Sequence, residues 1–152
     1  MNAKLEVRRI GAEEVRPLRH LVLRPGRPFD ETRFDRDGAP ETVHFGAFRD
    51  GALLAVATLL DAPHPERPGA RACQVRGMAS DPSVRGGGFG AAVLAACTAE
   101  ARRRGAQLLW CNAREAAAGF YRRAGFVATS ERFEISGIGP HFRMHRELSP
   151  PR

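Results

Sequence analysis

The chain predicts a mixed α/β (α+β) fold in one domain spanning residues 1–152, and three observations carry that expectation. Strand-like and helix-like runs alternate from one end to the other, the Asp50-Gly51 dipeptide joins two apolar stretches, and 152 residues with 43% hydrophobic content leave room for one core rather than two. Such an alternation places helices against a sheet, each covering the other's apolar face.

The elements follow in order. Leu5 and Val7 alternate with polar neighbours, which predicts a first strand from Lys4 to Ile10; Val15, Leu18, Leu21 and Val22 then fall at helical spacing within Glu13 to Leu23. Pro17 fits that helix only in its first turn, where no N–H is needed. Arg24 to Pro40 mixes prolines, glycines and charge without a period and reads as a long loop with one helical turn. Thr42 to Phe48 and Ala52 to Leu60 form a hairpin, because Asp-Gly supplies the positive φ angles of a two-residue type I′ turn. After a Pro/Gly-rich loop, Ala62 to Gly69, a strand runs from Ala72 to Ala79 and ends at Asp81-Pro82. Gly88 to Arg104 is a helix whose stripe is Phe89, Val93, Leu94, Cys97 and Ala101; Arg102 to Arg104 complement the negative end of its dipole and Gly105 stops it. A strand at Leu108 to Asn112, a helix at Glu115 to Ala124, and strands at Phe126 to Ile135 and His141 to Leu148 complete the chain.

Composition excludes several classes. The longest nearly uncharged apolar run, Gly51 to Leu60, is far short of the roughly 20 residues of a membrane-spanning helix, and Met1 to Arg9 has no apolar core of a secretory signal, so a cytoplasmic protein without membrane association is expected. Cys73, Cys97 and Cys111 are widely separated and sit among apolar residues, which predicts buried reduced thiols and no metal centre. Lys+Arg 24 against Asp+Glu 17 gives a charge of +7, a balance suited to nucleic acid or to a small polyanionic cofactor. No basic–aromatic interleaving accompanies it, and the Arg102 to Arg104 run ends a helix, so no nucleic-acid partner is expected; a basic nucleic-acid-binding module stands as an alternative.

The stretch richest in chemistry is Met78 to Leu94, MASDPSVRGGGFGAAVL, where a strand turns into a helix start containing Gly86, Gly87, Gly88 and Gly90. Glycines allow close backbone approach, the helix start presents unpaired N–H groups with partial positive charge, and Arg85 adds a bidentate donor, a combination that binds phosphate or pyrophosphate. A Walker loop requires Gly-Lys-Ser/Thr, whereas Phe89-Gly90-Ala91 follows here. Gly86, Gly88 and Ala91 do match a dinucleotide pattern, but the next strand ends Trp110-Cys111-Asn112 without the acid that would hold a ribose.

These residues resemble the GNAT (GCN-five-related) N-acetyltransferase family. Arg85 to Gly90 is similar to its Q/R-x-x-G-x-G/A pyrophosphate loop, and Met78-Ala79-Ser80-Asp81-Pro82 resembles the strand end that precedes it. Asn112-Ala113-Arg114, Ala117, Phe120-Tyr121 and Gly125-Phe126 resemble a second signature found in part of the family. The resemblance covers Met78 to Phe126 and implies a mixed, mostly antiparallel twisted sheet with helices on both faces and a splayed parallel strand pair.

It also implies acetyl-CoA as cofactor and transfer of the acetyl group to a primary amine of a small molecule or peptide, by direct attack in a ternary complex. Met78, Ala79 and Ser80 would then meet the pantetheine and thioester, and Arg85, Gly86, Gly87, Gly88, Phe89 and Gly90 the pyrophosphate. Tyr121, the sole tyrosine, would be the general acid for the CoA thiolate; a phenol is protonated at neutral pH and can donate to it. Arg114 stands where many members carry an asparagine on the cofactor, and two readings stay open for it, contact with the cofactor or with nearby backbone. The family's glutamate base has no counterpart: Leu109 occupies one such place, and Gln74, Arg76 and Met78 include no acid. His44 and His141 are weak substitutes facing the substrate, the commoner role of a lone strand histidine being that of a hydrogen-bonded structural residue. Asp30, Glu31, Asp35 and Asp37 in the first loop read first as a solvated charged loop and, as the alternative, as a lure for a cationic amine. A non-catalytic acyl-CoA sensor is the remaining alternative, and a homodimer is compatible with all of these readings.

Overall fold

The computed structural model describes residues 4–148. In chain order it contains β1 (Leu5–Ile10), α1 (Arg16–Leu18) continuing as a π-helical turn (Arg19–Leu23), a 3-10 turn (Phe29–Thr32), β2 (Val43–Arg49), β3 (Ala52–Asp61), β4 (Ala72–Ser80), a 3-10 turn (Pro82–Val84), α2 (Phe89–Arg103), β5 (Leu108–Arg114), a 3-10 turn (Glu115–Ala117), α3 (Ala118–Arg123), β6 (Val127–Ala128), β7 (Phe133–Ile135) and β8 (Gly139–Glu147). The strands are hydrogen-bonded in the order β1-β2-β3-β4-β5-β8-β6, with β7 on β8. The sheet is mixed and mostly antiparallel, and β4 with β5 is its parallel pair. The chain divides into two compact units, one holding residues up to Leu60 with Val75–Glu100, the other Asp61–Gln74 with residues from Ala101 onward.

In the first unit the hairpin turn is as the dipeptide dictates: Asp50 and Gly51 have φ of 51° and 79°, between the paired Arg49 and Ala52. The first helix is shorter and wider than its spacing predicts. It starts at Arg16, with Pro17 in its first turn, and the Arg24 N–H reaches back to the Arg19 carbonyl at 3.0 Å, a bond over five residues rather than four. That widening rotates the apolar stripe, so Val15 and Leu18 are buried while Leu21 is 53% exposed. Val15, Leu18, Val56 and Ala79 form the core here, with Ile10, Val22, Leu23 and Leu53 packed against them. The α2 stripe matches expectation, since Phe89, Val93, Leu94, Cys97 and Ala101 are all buried.

In the second unit the parallel register joins Ala72–Gln74 to Leu108–Trp110, the first three residues of β4 and of β5. Ala72, Leu108 and Trp110 pack as a small core, and the Trp110 indole N–H donates to the Ala62 carbonyl at 3.0 Å. The strand expected at Phe126 to Ile135 is broken into β6 and β7. The Arg143 N–H donates to Ser130 Oγ at 2.9 Å instead of to a ladder carbonyl, so a side chain takes over a backbone partner and the chain leaves the sheet. The three thiols are buried and unbridged, as their apolar neighbours predict.

Candidate active site

The first unit carries the glycine loop. The end of β4 is fixed by the Asp81 N–H, which donates to the Leu54 carbonyl at 2.8 Å. Asp81 Oδ1 then accepts from the Ser83 N–H at 2.9 Å and from Ser83 Oγ at 2.7 Å, bonds that hold its carboxyl below the usual carboxylate range and cap the Pro82–Val84 turn. Gly86 and Gly88 follow with φ of 81° and 87°. A Cβ on either would meet nothing within 4 Å, so backbone conformation alone demands glycine there, whereas a Cβ on Gly87 would lie 2.9 Å from the Val84 carbonyl. Arg85 to Gly88 are exposed, and buried Phe89 anchors the first turn of a 15-residue helix that has no acid in that turn. The Gly87 N–H donates to the Val84 carbonyl at 2.9 Å, and the exposed Arg85 lies in the chain just before a positive helix end with its unpaired first-turn N–H groups, the chemistry of an anion site.

Upstream, β4 carries a feature that periodicity does not announce. Gly77 has φ of +64° in mid-strand, and a Cβ there would lie 2.9 Å from Nε of Arg19. Arg19 is fully buried. Its guanidinium donates to Asp37 at 2.6 and 3.1 Å, to the Thr32 carbonyl at 2.9 Å and to Thr58 Oγ1 at 2.8 Å. Asp37 also accepts from the Phe34 N–H at 2.9 Å and lies 3.2 Å from Arg76. Burial by itself would raise the Asp37 pKa; the bonds from Arg19 and Phe34 and the charges of Arg19 and Arg76 outweigh it and leave the carboxyl below its ordinary value. The kink before Met78, Ala79 and Ser80 thus rests against a buried ion pair. Gly77→Ala should cost about 1–2 kcal/mol in φ strain, with the displacement of Arg19 added. Thermal unfolding measures it, and a melting temperature equal to that of the parent would show that the kink is not held as described.

His44 lies in the same network. Its ring is 3% exposed, Nε2 donates to the Asp37 carbonyl at 3.0 Å, and Nδ1 meets Thr58 Oγ1 at 2.8 Å. Burial pushes its pKa down. With both nitrogens engaged in the interior, His44 holds the first loop and does not present a base to substrate, which corrects the expectation drawn from the strand pattern. Two of the four loop acids are corrected likewise: Glu31 is gripped by Arg27 at 2.8 and 3.0 Å, and Asp37 is buried against Arg19.

The second unit brings Arg114 and His141 opposite one another, as cross-strand partners of β5 and β8. His141 is 4% exposed; its Nδ1 donates to the Gly139 carbonyl at 2.8 Å and its ring stacks on Phe133. Because a carbonyl only accepts, the neutral ring keeps its lone pair on Nε2. Tyr121 is 5% exposed on α3, edge-on to Phe120 at 5.2 Å and to Phe126 at 5.4 Å between ring centroids. Burial pushes the Cys111 thiol pKa well up, which keeps it protonated and unsuited to be a nucleophile. Among the described residues no group of three or more His, Cys, Asp and Glu is arranged to hold a metal ion, and no helix is long and apolar enough to cross a membrane.

The pattern of residues overlooked Arg19, Arg76 and Gly77. A glycine inside a strand pattern is itself a signal of a close backbone approach and could have marked Gly77; nothing in the spacing distinguishes a buried Arg19 from an exposed one.

Comparison with known proteins agrees with this geometry. The family model described as Acetyltransferase (GNAT) family matches residues 12–126. The chain is 32% identical over 148 residues to the uncharacterized N-acetyltransferase YitI of Bacillus subtilis (strain 168), covering 97% of this chain and 99% of that one. Among solved structures, an acyl-CoA N-acyltransferase from Pseudomonas aeruginosa shares the fold at a TM-score of 0.66 and 24% identity, over 94% of this chain and 99% of that chain. The NatC complex bound to Gag peptide and CoA does so at a TM-score of 0.76 and 14% identity, over 96% and 99%. A kinked β4, a glycine loop opening α2, and a match over most of the chain therefore agree: the protein belongs to the GNAT acetyltransferase family.

Proposed function

We propose that the protein transfers an acetyl group from acetyl-CoA to a primary amine of a small molecule or peptide, by direct attack in a ternary complex. The observation that carries this reading is the exposed run Arg85-Gly86-Gly87-Gly88, with Gly86 and Gly88 at positive φ, leading into the N-terminus of α2, where a helix start offers N–H groups to a pyrophosphate. Arg85, Gly86, Gly87, Gly88, Phe89 and Gly90 hold that group, and the backbone of Met78, Ala79 and Ser80 follows the pantetheine toward the thioester. Arg114 is the second cofactor-binding residue. The CoA-bound neighbour of the same fold supports a CoA-type ligand.

In the reaction the neutral amine nitrogen forms a C–N bond to the thioester carbon, and a backbone N–H of the Met78–Ser80 segment stabilises the oxyanion. The C–S bond breaks, the sulfur takes the Tyr121 phenol proton, and the nitrogen loses its surplus proton to water or to His141 Nε2. Tyr121 is then reprotonated from solvent. The test is free-thiol release from acetyl-CoA by purified protein across a panel of amines. Release that requires both protein and amine, with the acetylated amine recovered by mass spectrometry, supports the reading; binding of acetyl-CoA without turnover of any amine supports the sensor alternative instead.

A further inference from the structure

Two of the four acids of the Arg24 to Pro40 loop, Glu31 and Asp37, are paired with arginines of the protein itself, and around Phe34 the guanidinium groups outnumber the carboxylates that pair with them. Three guanidinium groups surround the Phe34 ring, with Arg19 at 4.0 Å, Arg24 at 5.2 Å and Arg76 at 5.8 Å from its centroid. Asp37 is the carboxylate that faces them, held by Arg19 at 2.6 Å and shared with Arg76 at 3.2 Å. Glu31, whose charge also reaches Arg24, forms a neutral pair with Arg27, and Arg36, whose charge reaches Arg76, is paired with Glu41. His44, packed on Asp37, is held toward its neutral form.

Two of the three cations are therefore compensated only in part, Arg76 by a carboxylate it shares with Arg19. Arg24 donates to the Leu23 carbonyl at 2.9 Å, a neutral acceptor. Arg76 directs Nη2 to the Asp35 carbonyl and to Asp37 Oδ1, keeps a buried Nε without a partner, and has a side chain that is 20% exposed. Burial pushes both below the usual arginine range, Arg24 also through the neighbouring charges of Arg27 and Arg19 and Arg76 through those of Arg19 and Arg36. A carboxylate at this place would relieve that repulsion and accept from the guanidinium N–H groups that the Leu23, Asp35 and Asp37 oxygens leave over. Arg76 is two residues before Met78, on the strand assigned to the pantetheine.

Resting on the acyltransferase reading, we propose that Arg24 and Arg76, beside Phe34, form a carboxylate-recognition subsite, and that the acceptor is an amino acid or a short peptide carrying a free carboxylate. The amine to be acetylated then arrives on a molecule whose negative end is held by the arginines. A bare cationic amine is disfavoured, because its charge is repelled by the same guanidinium groups.

The experiment compares matched pairs, the common amino acids and their amides, as acceptors with acetyl-CoA, and in parallel titrates the N-acetylated acid and the N-acetylated amide into the CoA-bound protein by calorimetry. The free acids should be preferred about tenfold or more in kcat/KM, and the acetylated acid should bind by a similar factor more tightly than its amide. Arg24→Gln should erase that preference by raising KM for the acid, Arg24→Lys should restore part of it, and KM for acetyl-CoA should stay within about twofold. Equal use and equal binding of acids and amides overturns the subsite. So does a rise in KM for acetyl-CoA in Arg24→Gln, which would assign the cluster to a phosphate of the cofactor. The calorimetric arm reads the carboxylate preference without turnover, so an inactive protein that still prefers the acid contradicts the catalytic reading and leaves the subsite standing.

Discussion

Arg19→Met is expected to lower the stability of the protein by about 3–5 kcal/mol, a drop of roughly 10 °C or more in melting temperature for a chain of this size. The size follows from what remains behind. Asp37, 7% exposed, loses the bidentate guanidinium that offsets its desolvation and is left with the Phe34 N–H and an Arg76 contact at 3.2 Å. Thr32 and Thr58 each lose a donor as well. Removing both ends of the pair in Arg19→Met/Asp37→Leu should recover part of the loss, because the uncompensated charge has gone.

The pH dependence gives this prediction a second readout with a definite sign. The folded Asp37 pKa is depressed, so its contribution to stability is present above the unfolded value near 4 and is lost as the pH falls through the folded pKa. In Arg19→Met the burial that raises the pKa is far less opposed. The variant should therefore lose less stability than the parent between about pH 4 and pH 2. A variant as stable as the parent at neutral pH, or one with an unaltered acid profile, would contradict the role given to the pair.

Tyr121→Phe is expected to lower kcat by about 10²- to 10⁴-fold while KM for acetyl-CoA changes little, since the missing hydroxyl matters when the C–S bond breaks. The ring environment favours this substitution. Tyr121 packs edge-on against Phe120 and Phe126, contacts that phenylalanine keeps, so the fold should tolerate it. Single-turnover kinetics with a good acceptor read the chemical step directly; an unchanged rate there would remove Tyr121 from the acid role and leave it as a packing residue.

How much of this was legible beforehand depended on whether the signal was local. The Asp50-Gly51 turn, the α2 stripe and the buried thiols rest on neighbouring residues and were readable from them. The glycine loop was readable for the same reason, since its four glycines and Arg85 lie within six positions. The first helix was not: its spacing fits a regular helix from Glu13, and only the tertiary demand of burying Arg19 against Asp37 and Thr58, far away in sequence, selects the wider turn. His44 lies on the expected hairpin strand, but its partners were hidden for a related reason. A histidine in a strand pattern gives no hint that a carbonyl from a loop and a threonine from the next strand will take both ring nitrogens. The broken strand before β8 turns on one serine hydroxyl substituting for a backbone acceptor, a choice that alternation cannot show. The sign of charge around the first loop was hidden too, because composition lists acids and bases without saying which are paired.

The central claim is that the loop from Arg85 to Gly90 holds the pyrophosphate of an acyl-CoA, and calorimetric titration of the purified protein with acetyl-CoA tests it most directly, with NADH and a short RNA as controls. The account predicts saturable one-site binding of acetyl-CoA alone, weakened about tenfold or more in Arg85→Ala as a charge-assisted contact is lost. An absence of acetyl-CoA binding, or equal affinity in Arg85→Ala, would contradict it, and binding of the RNA in its place would point to a different use of the protein's positive charge.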